Sequence, residues 1–193
     1  MTVTPLPTYS SYAIPNSALT KQLKLQRHPE GGYFVETDRQ DEQIPSPFAD
    51  QALRPLATSI YYLLTPEEPN GVFHMNKSAT MHVLHQGRAE YTLITPGSPP
   101  RIERKVMGPN IHAGETMQLL VGSGVWKMSR LLTDDLKRAS TPEAEEHCGC
   151  LITEVVFPGF HWEDHCYLSR EEFDKLWGEL DPPQGLLEYI RTS

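Results

Sequence analysis

The sequence predicts an all-β protein, either a sandwich or a small barrel, with helices only at its two ends. About ten short segments alternate apolar and polar side chains with the two-residue period of a strand. Turn residues separate these segments, and the 193-residue chain holds 17 prolines and 13 glycines. Patterns with helical spacing occur only near the beginning and the end of the chain. Many short strands joined by turns pack as two facing sheets or as a closed barrel.

Composition and charge exclude several function classes. The net charge of -8 and the absence of a basic stripe disfavour nucleic-acid binding. No apolar run reaches the ~18 residues of a membrane span, and the first residues lack the pattern of a signal peptide. Three cysteines, an odd number, do not form a disulfide framework. We therefore expect a cytoplasmic protein with one domain over residues 16–193, preceded by a loose arm over residues 1–15.

The first part of the chain combines a short helix with two strands. Asn16 or Ser17 can cap the helix. The segment HPEGGYFVETDR, residues 28–39, then joins a Gly-Gly turn to a strand pattern that begins at Tyr33. Residues 40–55 are polar and rich in proline, which is typical of a loop. The helix is expected over residues 18–26, and the two strands over residues 33–37 and 56–64.

The stretch FHMNKSATMHVLHQG, residues 73–87, organises the rest of the chain because it carries three histidines on predicted strands. Side chains alternate sharply here, so His82 is expected on one face and His85 on the other. His74 lies on the strand before them. The stretch ends at Gly87, which is expected to open a hairpin into the next strand.

Shorter strand patterns follow in the second half of the chain. They are expected over residues 90–95, 101–108, 116–121, 125–132 and 151–157. The charged residues 133–147 are expected to form a loop with one helical turn. Ser169 and Glu172 have the spacing of a capping box, which predicts a helix with Phe173 and Trp177 on its apolar face.

Four segments carry a resemblance to a known family: residues 28–39, 59–87, 114–126 and 155–164. In order and spacing they resemble the cupin-5 family of small single-domain cupins, most of unknown function, and HPEGGY is the most specific motif. The resemblance covers about residues 18–168. It implies a double-stranded β-helix jelly roll with short flanking helices, a small-molecule pocket inside the barrel and usually a homodimer. The family is similar in fold to the dTDP-4-dehydrorhamnose 3,5-epimerases.

The chain departs from the pattern of the family that it resembles. Typical members carry an acidic Ser-Asp-Glu segment followed by a tryptophan, where this chain has Ala79, Thr80 and Met81. His74 and His82 are retained. The loss of two acidic residues predicts a less charged pocket. We therefore expect a rather apolar ligand, less polar than a nucleotide sugar.

General acid–base chemistry is the first function that this pattern predicts. A histidine in a partly dry pocket accepts or donates a proton near neutral pH. In the epimerases that the fold resembles, a strand histidine is the base and a tyrosine is the acid. The resemblance implies His74 or His82 as base and Tyr62, Tyr91 or Tyr33 as acid. Such a pair could run an isomerisation, epimerisation, cyclisation or elimination without a metal or other cofactor, on a specialised substrate such as one of secondary metabolism.

Other side chains are expected to contact the ligand. They are Glu36, Phe73, Thr80, Met81, Gln118, Trp126 and Met128. For the apolar members of this set, packing in the core of the barrel is the stronger alternative. Glu30 and Glu36 either line the mouth of the pocket or form an ion pair with Arg39.

Two further function classes stay open. The first is a non-catalytic small-molecule binder. The second is a metal-dependent dioxygenase, in which His74, His82 and Gln118 would converge on a metal with a carboxylate such as Glu36 or Glu90 assisting. Such sites need three or four N or O ligands, and two histidines with an amide are a poor set, because Thr80 occupies the acidic position. The segments HCGC, residues 147–150, and HWEDH, residues 161–165, contain metal-binding residue types, but structural segments are the favoured interpretation of both.

Overall fold

Two antiparallel β-sheets packed face to face form most of the structure, a computed structural model that describes residues 12–191. Residues 1–11 of the predicted arm lie outside the described residues. In chain order the strands are β1 (Gln26–Arg27), β2 (Tyr33–Arg39), β3 (Gln43–Pro45), β4 (Leu53–Pro55), β5 (Thr58–Leu64), β6 (His74–Asn76), β7 (Ala79–Gly87), β8 (Ala89–Thr95), β9 (Arg101–Met107), β10 (Gln118–Val121), β11 (Trp126–Arg130), β12 (Cys150–Phe157) and β13 (His165–Tyr167).

Short helices flank the sheets. The α-helices are α1 (Asn16–Gln22), α2 (Thr133–Arg138), α3 (Pro142–Glu146) and α4 (Arg170–Trp177), and 3₁₀ turns occur at Ile111–Ala113, Trp162–Asp164 and Leu186–Tyr189. None of the helices among the described residues is long and apolar enough to cross a membrane.

The sheets differ in size and in strand order. The larger sheet has six strands in the order β1-β2-β5-β12-β7-β10, and the smaller has five in the order β13-β6-β11-β8-β9. Every pairing within them is antiparallel. Neighbouring strands are mostly distant in sequence, which is the arrangement of a jelly roll and not of simple hairpins.

Most local predictions are confirmed, with shifted boundaries. The expectation of helices only at the two ends of the chain is wrong, because residues 133–147, expected as a loop with one helical turn, contain α2 and α3. Helix α1 ends at Gln22, short of the expected residue 26, and Lys24 just beyond it has a φ of 58°. The expected loop over residues 40–55 contains a small hairpin of β3 and β4. The capping box of α4 is present, because the Ser169 side chain accepts from the Glu172 backbone and the Glu172 side chain accepts from Ser169.

The predicted hairpin at Gly87 is wrong. Strand β7 pairs with β10 and β12 in the larger sheet, whereas β8 pairs with β9 and β11 in the smaller one. Gly87 has a φ of 73°, and a Cβ there would lie 1.9 Å from the backbone oxygen of Gly149. The glycine therefore allows the chain to turn from one sheet to the other against a neighbouring backbone.

Both faces of β11 in the smaller sheet are buried, and this decides which of its side chains face the interior. In β11, Trp126 and Met128 pack with Phe173 of α4 on the outer side of the sheet. Lys127 and Ser129 alternate with them and face the space between the sheets. The interior face of β11 is therefore polar, which determines the chemistry of the cavity described next.

Candidate functional site

A cavity of about 200 Å³ lies between the two sheets. Its apolar wall consists of Phe34, Ile60, Val156, Phe160 and Trp162. Its ionisable side chains are His28, Glu30, His74, Lys127 and Glu154, with Glu36 and Arg39 also at its border. The cavity therefore combines an apolar wall with more charge than the sequence comparison predicted.

The Gly-Gly turn after Pro29 positions Glu30 in this cavity. Gly31 has a φ of 98°, and a Cβ at this position would lie 2.2 Å from the backbone oxygen of Asn70. Its carbonyl accepts a hydrogen bond from the Tyr62 hydroxyl at 2.9 Å. Only glycine fits this close approach, so the HPEGGY motif holds Glu30 at a fixed place on the wall of the cavity.

Three imidazoles surround the Glu30 carboxylate, whose side chain is 12% exposed. His165 Nε2 lies 2.6 Å from Oε1, and His74 Nε2 lies 3.2 Å from Oε2. His28 Nδ1 is 3.7 Å from Oε2. The cluster joins residues from the two ends of the chain, because His165 follows Glu30 by 135 positions.

Hydrogen-bond partners fix two of the three imidazole tautomers. His74 Nδ1 lies 2.9 Å from the carbonyl oxygen of Val72, so Nδ1 carries a hydrogen. His28 Nδ1 accepts from the Glu30 backbone N–H at 3.1 Å, so that nitrogen carries none. In neutral His74 the Nε2 lone pair therefore faces Oε2 of Glu30, and two acceptors stand 3.2 Å apart.

Burial and neighbouring charges set the protonation of this acceptor pair. Burial lowers the pKa of His74 to about 4, against the attraction of the Glu30 carboxylate. Burial alone would raise the pKa of Glu30. The attraction of His74, a hydrogen bond from His165 and the attraction of His28 together outweigh burial and hold this pKa at about 2. At neutral pH the pair is thus an ionised carboxylate beside a neutral imidazole, and a proton placed between them would convert repulsion into a charge-assisted hydrogen bond.

A second charged cluster borders the cavity at Lys127 and Glu154. Strand register brings His82 of β7 beside Glu154 of β12, with Nε2 2.8 Å from Oε2. Lys127 reaches across from the other sheet, with Nζ 2.6 Å from Oε1 of Glu154 and 3.1 Å from Nε2 of His82. Burial alone would raise the pKa of Glu154, but Lys127 and His82 hold it well below its usual range. Burial and Lys127 lower the pKa of His82.

The structure brings several predicted residues together and separates others. His74, Tyr62, Tyr91 and Glu36 border the cavity. Met128 lies next to it, but its side chain packs in the cluster beneath α4 on the outer side of the smaller sheet. Burial raises the pKa of both of these tyrosines, so their phenols stay protonated. The hydroxyl hydrogen of Tyr62 is already donated to the turn at Glu30.

The expected contacts of five residues need correction, because these residues do not border the cavity. Phe73 and Trp126 pack on the far side of the smaller sheet, in the cluster beneath α4. Thr80 is buried within β7, while Met81 alternates with it and faces outward. Gln118 is exposed on β10, the edge strand of the larger sheet.

Three other placements complete the comparison with the predictions. His82 is fully buried behind the cavity floor and not on its surface, and its Nδ1 has no hydrogen-bond partner among the described residues. Tyr33 donates to Glu67 on the exterior. His85 faces away from His82, as expected, and its Nε2 lies 2.6 Å from the Thr153 hydroxyl.

Sequence reasoning missed Lys127, Glu154 and His165. An ionisable residue within a predicted strand is a signal for the first two, since Lys127 lies between Trp126 and Met128 and Glu154 lies in the middle of the 151–157 strand pattern. His165 belongs to the HWEDH segment, which was expected to be structural. No local pattern shows that this segment reaches Glu30.

The donor set does not fit a metal ion. Within residues 12–191, no group of three or more His, Cys, Asp or Glu side chains is arranged to hold one. The lone pair of His28 Nδ1 is used by a backbone N–H, and His165 Nε2 bonds to Glu30. Around Glu30, His74 Nε2 and Glu30 Oε2 are the two donor atoms left over among the described residues, where metal sites need three or four. Gln118, the third ligand in the dioxygenase alternative, is exposed at the sheet edge.

The depressed pKa of His74 gives a direct test of this electrostatic environment. We expect the His74 ring nitrogens to titrate with a midpoint near pH 4 in ¹H–¹⁵N NMR spectra. Glu30→Gln should lower the midpoint further, because the carboxylate favours the imidazolium. The matched surface variant Glu67→Gln should leave it unchanged. A midpoint near 6.5, the ordinary value for histidine, would contradict the environment described here.

Comparison with known proteins assigns the family. The sequence profile of the Cupin_5 family, described as Cupin superfamily (DUF985), matches residues 17–168. The chain belongs to this family. A relative of this cupin-5 chain, the uncharacterized protein YML079W of Saccharomyces cerevisiae, is 37% identical in an alignment of 168 positions that covers 80% of this chain and 75% of the yeast protein.

Two solved structures resemble the cupin-5 chain in fold. A hypothetical protein from Leishmania major superposes with a TM-score of 0.76 at 21% identity, covering 93% of this chain and 99% of that one. Protein SO0799 from Shewanella oneidensis superposes with a TM-score of 0.71 at 24% identity, covering the same shares, 93% and 99%. The predicted family and the predicted jelly-roll fold with flanking helices are thus confirmed.

Proposed function

We propose that this cupin-5 protein is a metal-independent enzyme that moves protons on a small organic molecule bound between its sheets. The supporting observation is the acceptor pair of His74 Nε2 and Glu30 Oε2, 3.2 Å apart on the cavity wall. A general base must be unprotonated at working pH and must reach the substrate. The lowered pKa values of both groups and their position meet these two conditions.

In this mechanism the substrate gives a proton to the acceptor pair. Nε2 of His74 takes the proton, and the resulting imidazolium is stabilised by Oε2 of Glu30. The Nδ1 bond to Val72 fixes the plane of the imidazole, and the bond from His165 to Oε1 fixes the carboxylate. Return of the proton to another position or face of the substrate gives an isomerisation or epimerisation, while loss of a leaving group or ring closure gives an elimination or cyclisation.

A tyrosine completes the acid–base set. Tyr91 is the better candidate acid, because the hydroxyl hydrogen of Tyr62 is committed to Gly31. Tyr91 is buried at the cavity border, and its raised pKa keeps the phenol protonated and able to donate. The catalytic role expected for His82 becomes indirect in this proposal, since His82 supports Glu154 and Lys127 from behind the cavity.

The ligand is amphipathic in this proposal and not simply apolar. The aromatic and aliphatic side chains of Phe34, Ile60 and Phe160 suit an apolar body. The two charged clusters suit polar groups at the other end. The homodimer, the cytoplasmic location and a role in secondary metabolism remain predictions from composition and family resemblance.

Proton abstraction from carbon can be tested before the substrate is known. Small molecules that raise the melting temperature of the protein would be incubated with it in D₂O, and their C–H signals followed by ¹H NMR. We expect at least one ligand to exchange a carbon-bound hydrogen for deuterium at a rate proportional to protein concentration. If every ligand that stabilises the protein keeps its C–H signals in D₂O, the protein is a non-catalytic binder and the proposal fails.

A further inference from the structure

Three carboxylates border the cavity, and two of them have a permanent cation as partner. Glu36 receives two hydrogen bonds from the Arg39 guanidinium, at 3.1 and 2.7 Å. Glu154 accepts a hydrogen bond from the Lys127 ammonium at 2.6 Å. Each of these pairs carries no net charge, so neither leaves an excess of one sign for a ligand to neutralise.

Glu30 differs from the other two carboxylates. Its ionic contacts among the described residues are all with histidines, and no lysine or arginine nitrogen there lies within 4.0 Å of it. His28 is neutral because its Nδ1 accepts a hydrogen, and its pKa is lowered mainly by burial. Glu30 is thus a largely buried carboxylate without a lysine or arginine partner among the described residues.

The hydrogen-bond geometry around Glu30 is also incomplete. Oε2 of Glu30 and Nε2 of His74 are both acceptors on the cavity wall, and 3.2 Å separates them. An N–H group of a ligand would give Oε2 of Glu30 the donor that it lacks and leave Nε2 of His74 facing a neighbouring atom of the ligand. The neighbouring walls are aromatic, with Phe34, Phe160 and Trp162 bordering the same space. Aromatic faces attract cations through their quadrupole.

We propose that the ligand of this site carries a cationic nitrogen group with N–H donors, attached to an apolar body. The ammonium binds Oε2 of Glu30, and the apolar body packs against Phe34 and Phe160. This inference deepens the proposed function by naming its substrate class and rests on the same site. With the ammonium on Glu30, Nε2 of His74 faces the carbon next to the nitrogen, which is the position for proton abstraction.

An anionic ligand is the competing possibility, and Lys127 would be its partner. Lys127 is already neutralised by Glu154 at 2.6 Å and also contacts His82 at 3.1 Å. An anion there would have to compete with a buried carboxylate. A cation at Glu30 competes with no lysine or arginine of the described chain, so the observations favour the cation.

Three probes with one carbon frame separate these possibilities: 3-phenylpropylamine, 3-phenylpropanol and 3-phenylpropionate. Binding to the full-length protein at neutral pH would be measured by isothermal titration calorimetry and by ¹H–¹⁵N NMR shifts. We expect the amine to bind roughly 10- to 100-fold more tightly than the alcohol, as for a charge-assisted hydrogen bond, and the carboxylate to bind most weakly. Equal affinities, tightest binding of the carboxylate, or no binding of any probe would overturn the inference.

Variants locate the binding group. Glu30→Gln should remove most of the preference for the amine over the alcohol, whereas the exposed Glu67→Gln should retain it. Retention of the preference in Glu30→Gln would overturn the inference, and the wild-type probe series decides the question even if that variant fails to fold. Deuterium exchange reports separately on catalysis. A preference for the amine without exchange would reject the proposed enzymatic function but support the cationic ligand class. Exchange without a preference for the amine would support the enzymatic function and reject the cationic ligand class.

Discussion

Glu154→Gln is expected to lower the free energy of unfolding by about 3–5 kcal/mol, the largest stability effect that we predict for a single charge removal. The substitution leaves the Lys127 ammonium, whose side chain is 3% exposed, without a negative partner. Removal of one member of a buried ion pair is costly because the remaining charge has lost both water and its counter-ion. Chemical denaturation monitored by fluorescence measures the loss.

Two variants separate a buried-charge effect from a general effect of the substitution. Glu67→Gln removes a carboxylate that pairs with Arg27 on the surface, where both side chains are more than half exposed, and should cost less than about 1 kcal/mol. The double variant with Lys127→Met and Glu154→Gln removes both buried charges while the glutamine oxygen still accepts from His82. It should recover most of the stability lost by Glu154→Gln. The prediction would be contradicted if Glu154→Gln lowered the free energy of unfolding by no more than Glu67→Gln does.

The same pair makes the stability dependent on pH in a definite direction. The pKa of Glu154 is held below its unfolded value of 4.5, so its contribution is present above that pH and is lost as the pH falls further. His74 acts in the same direction over a higher range. Its pKa falls from 6.5 to about 4 on folding, so protonation between these values favours the unfolded chain.

Much of the fold could be predicted because its signals are local. The strand pattern over residues 151–157, closed by Pro158 and Gly159, located β12 to within one residue, and the Ser169–Glu172 spacing predicted the cap of α4. The partner of a strand is not local information. Gly87 ends an alternating strand as a hairpin glycine would, but the next strand lies in the other sheet, and nothing in the neighbouring residues shows this.

The candidate site was predictable only in part, for a related reason. The alternating pattern placed Trp126 and Met128 correctly on one face of β11. Helix α4 buries that face from outside, so the apolar face of this strand is not the one that faces the barrel interior. The interior face instead carries Lys127, which a search for apolar faces passes over. The partnership of Glu30 with His165 depends on tertiary packing between the two ends of the domain.

His74→Asn should reduce the rate of deuterium incorporation into a bound ligand by roughly 10²- to 10⁴-fold, the usual range for loss of a general base. Asparagine offers an amide N–H close to the position of the imidazole Nδ1, so it can retain the hydrogen bond to the Val72 carbonyl. It has no atom at the position of Nε2. The variant therefore removes the proton acceptor while it keeps the local backbone contact.

The readouts of His74→Asn should separate catalysis from binding and from folding. If His74 is the base, the exchange rate falls while the free energy of unfolding and the affinity of the ligand change much less. His85→Asn is the matched control, since His85 lies on the exterior and bonds to Thr153. Its exchange rate should equal that of the wild type. Parallel losses of affinity and exchange in His74→Asn would mean that the imidazole only binds the ligand, and unchanged exchange would assign the base to Glu30 alone.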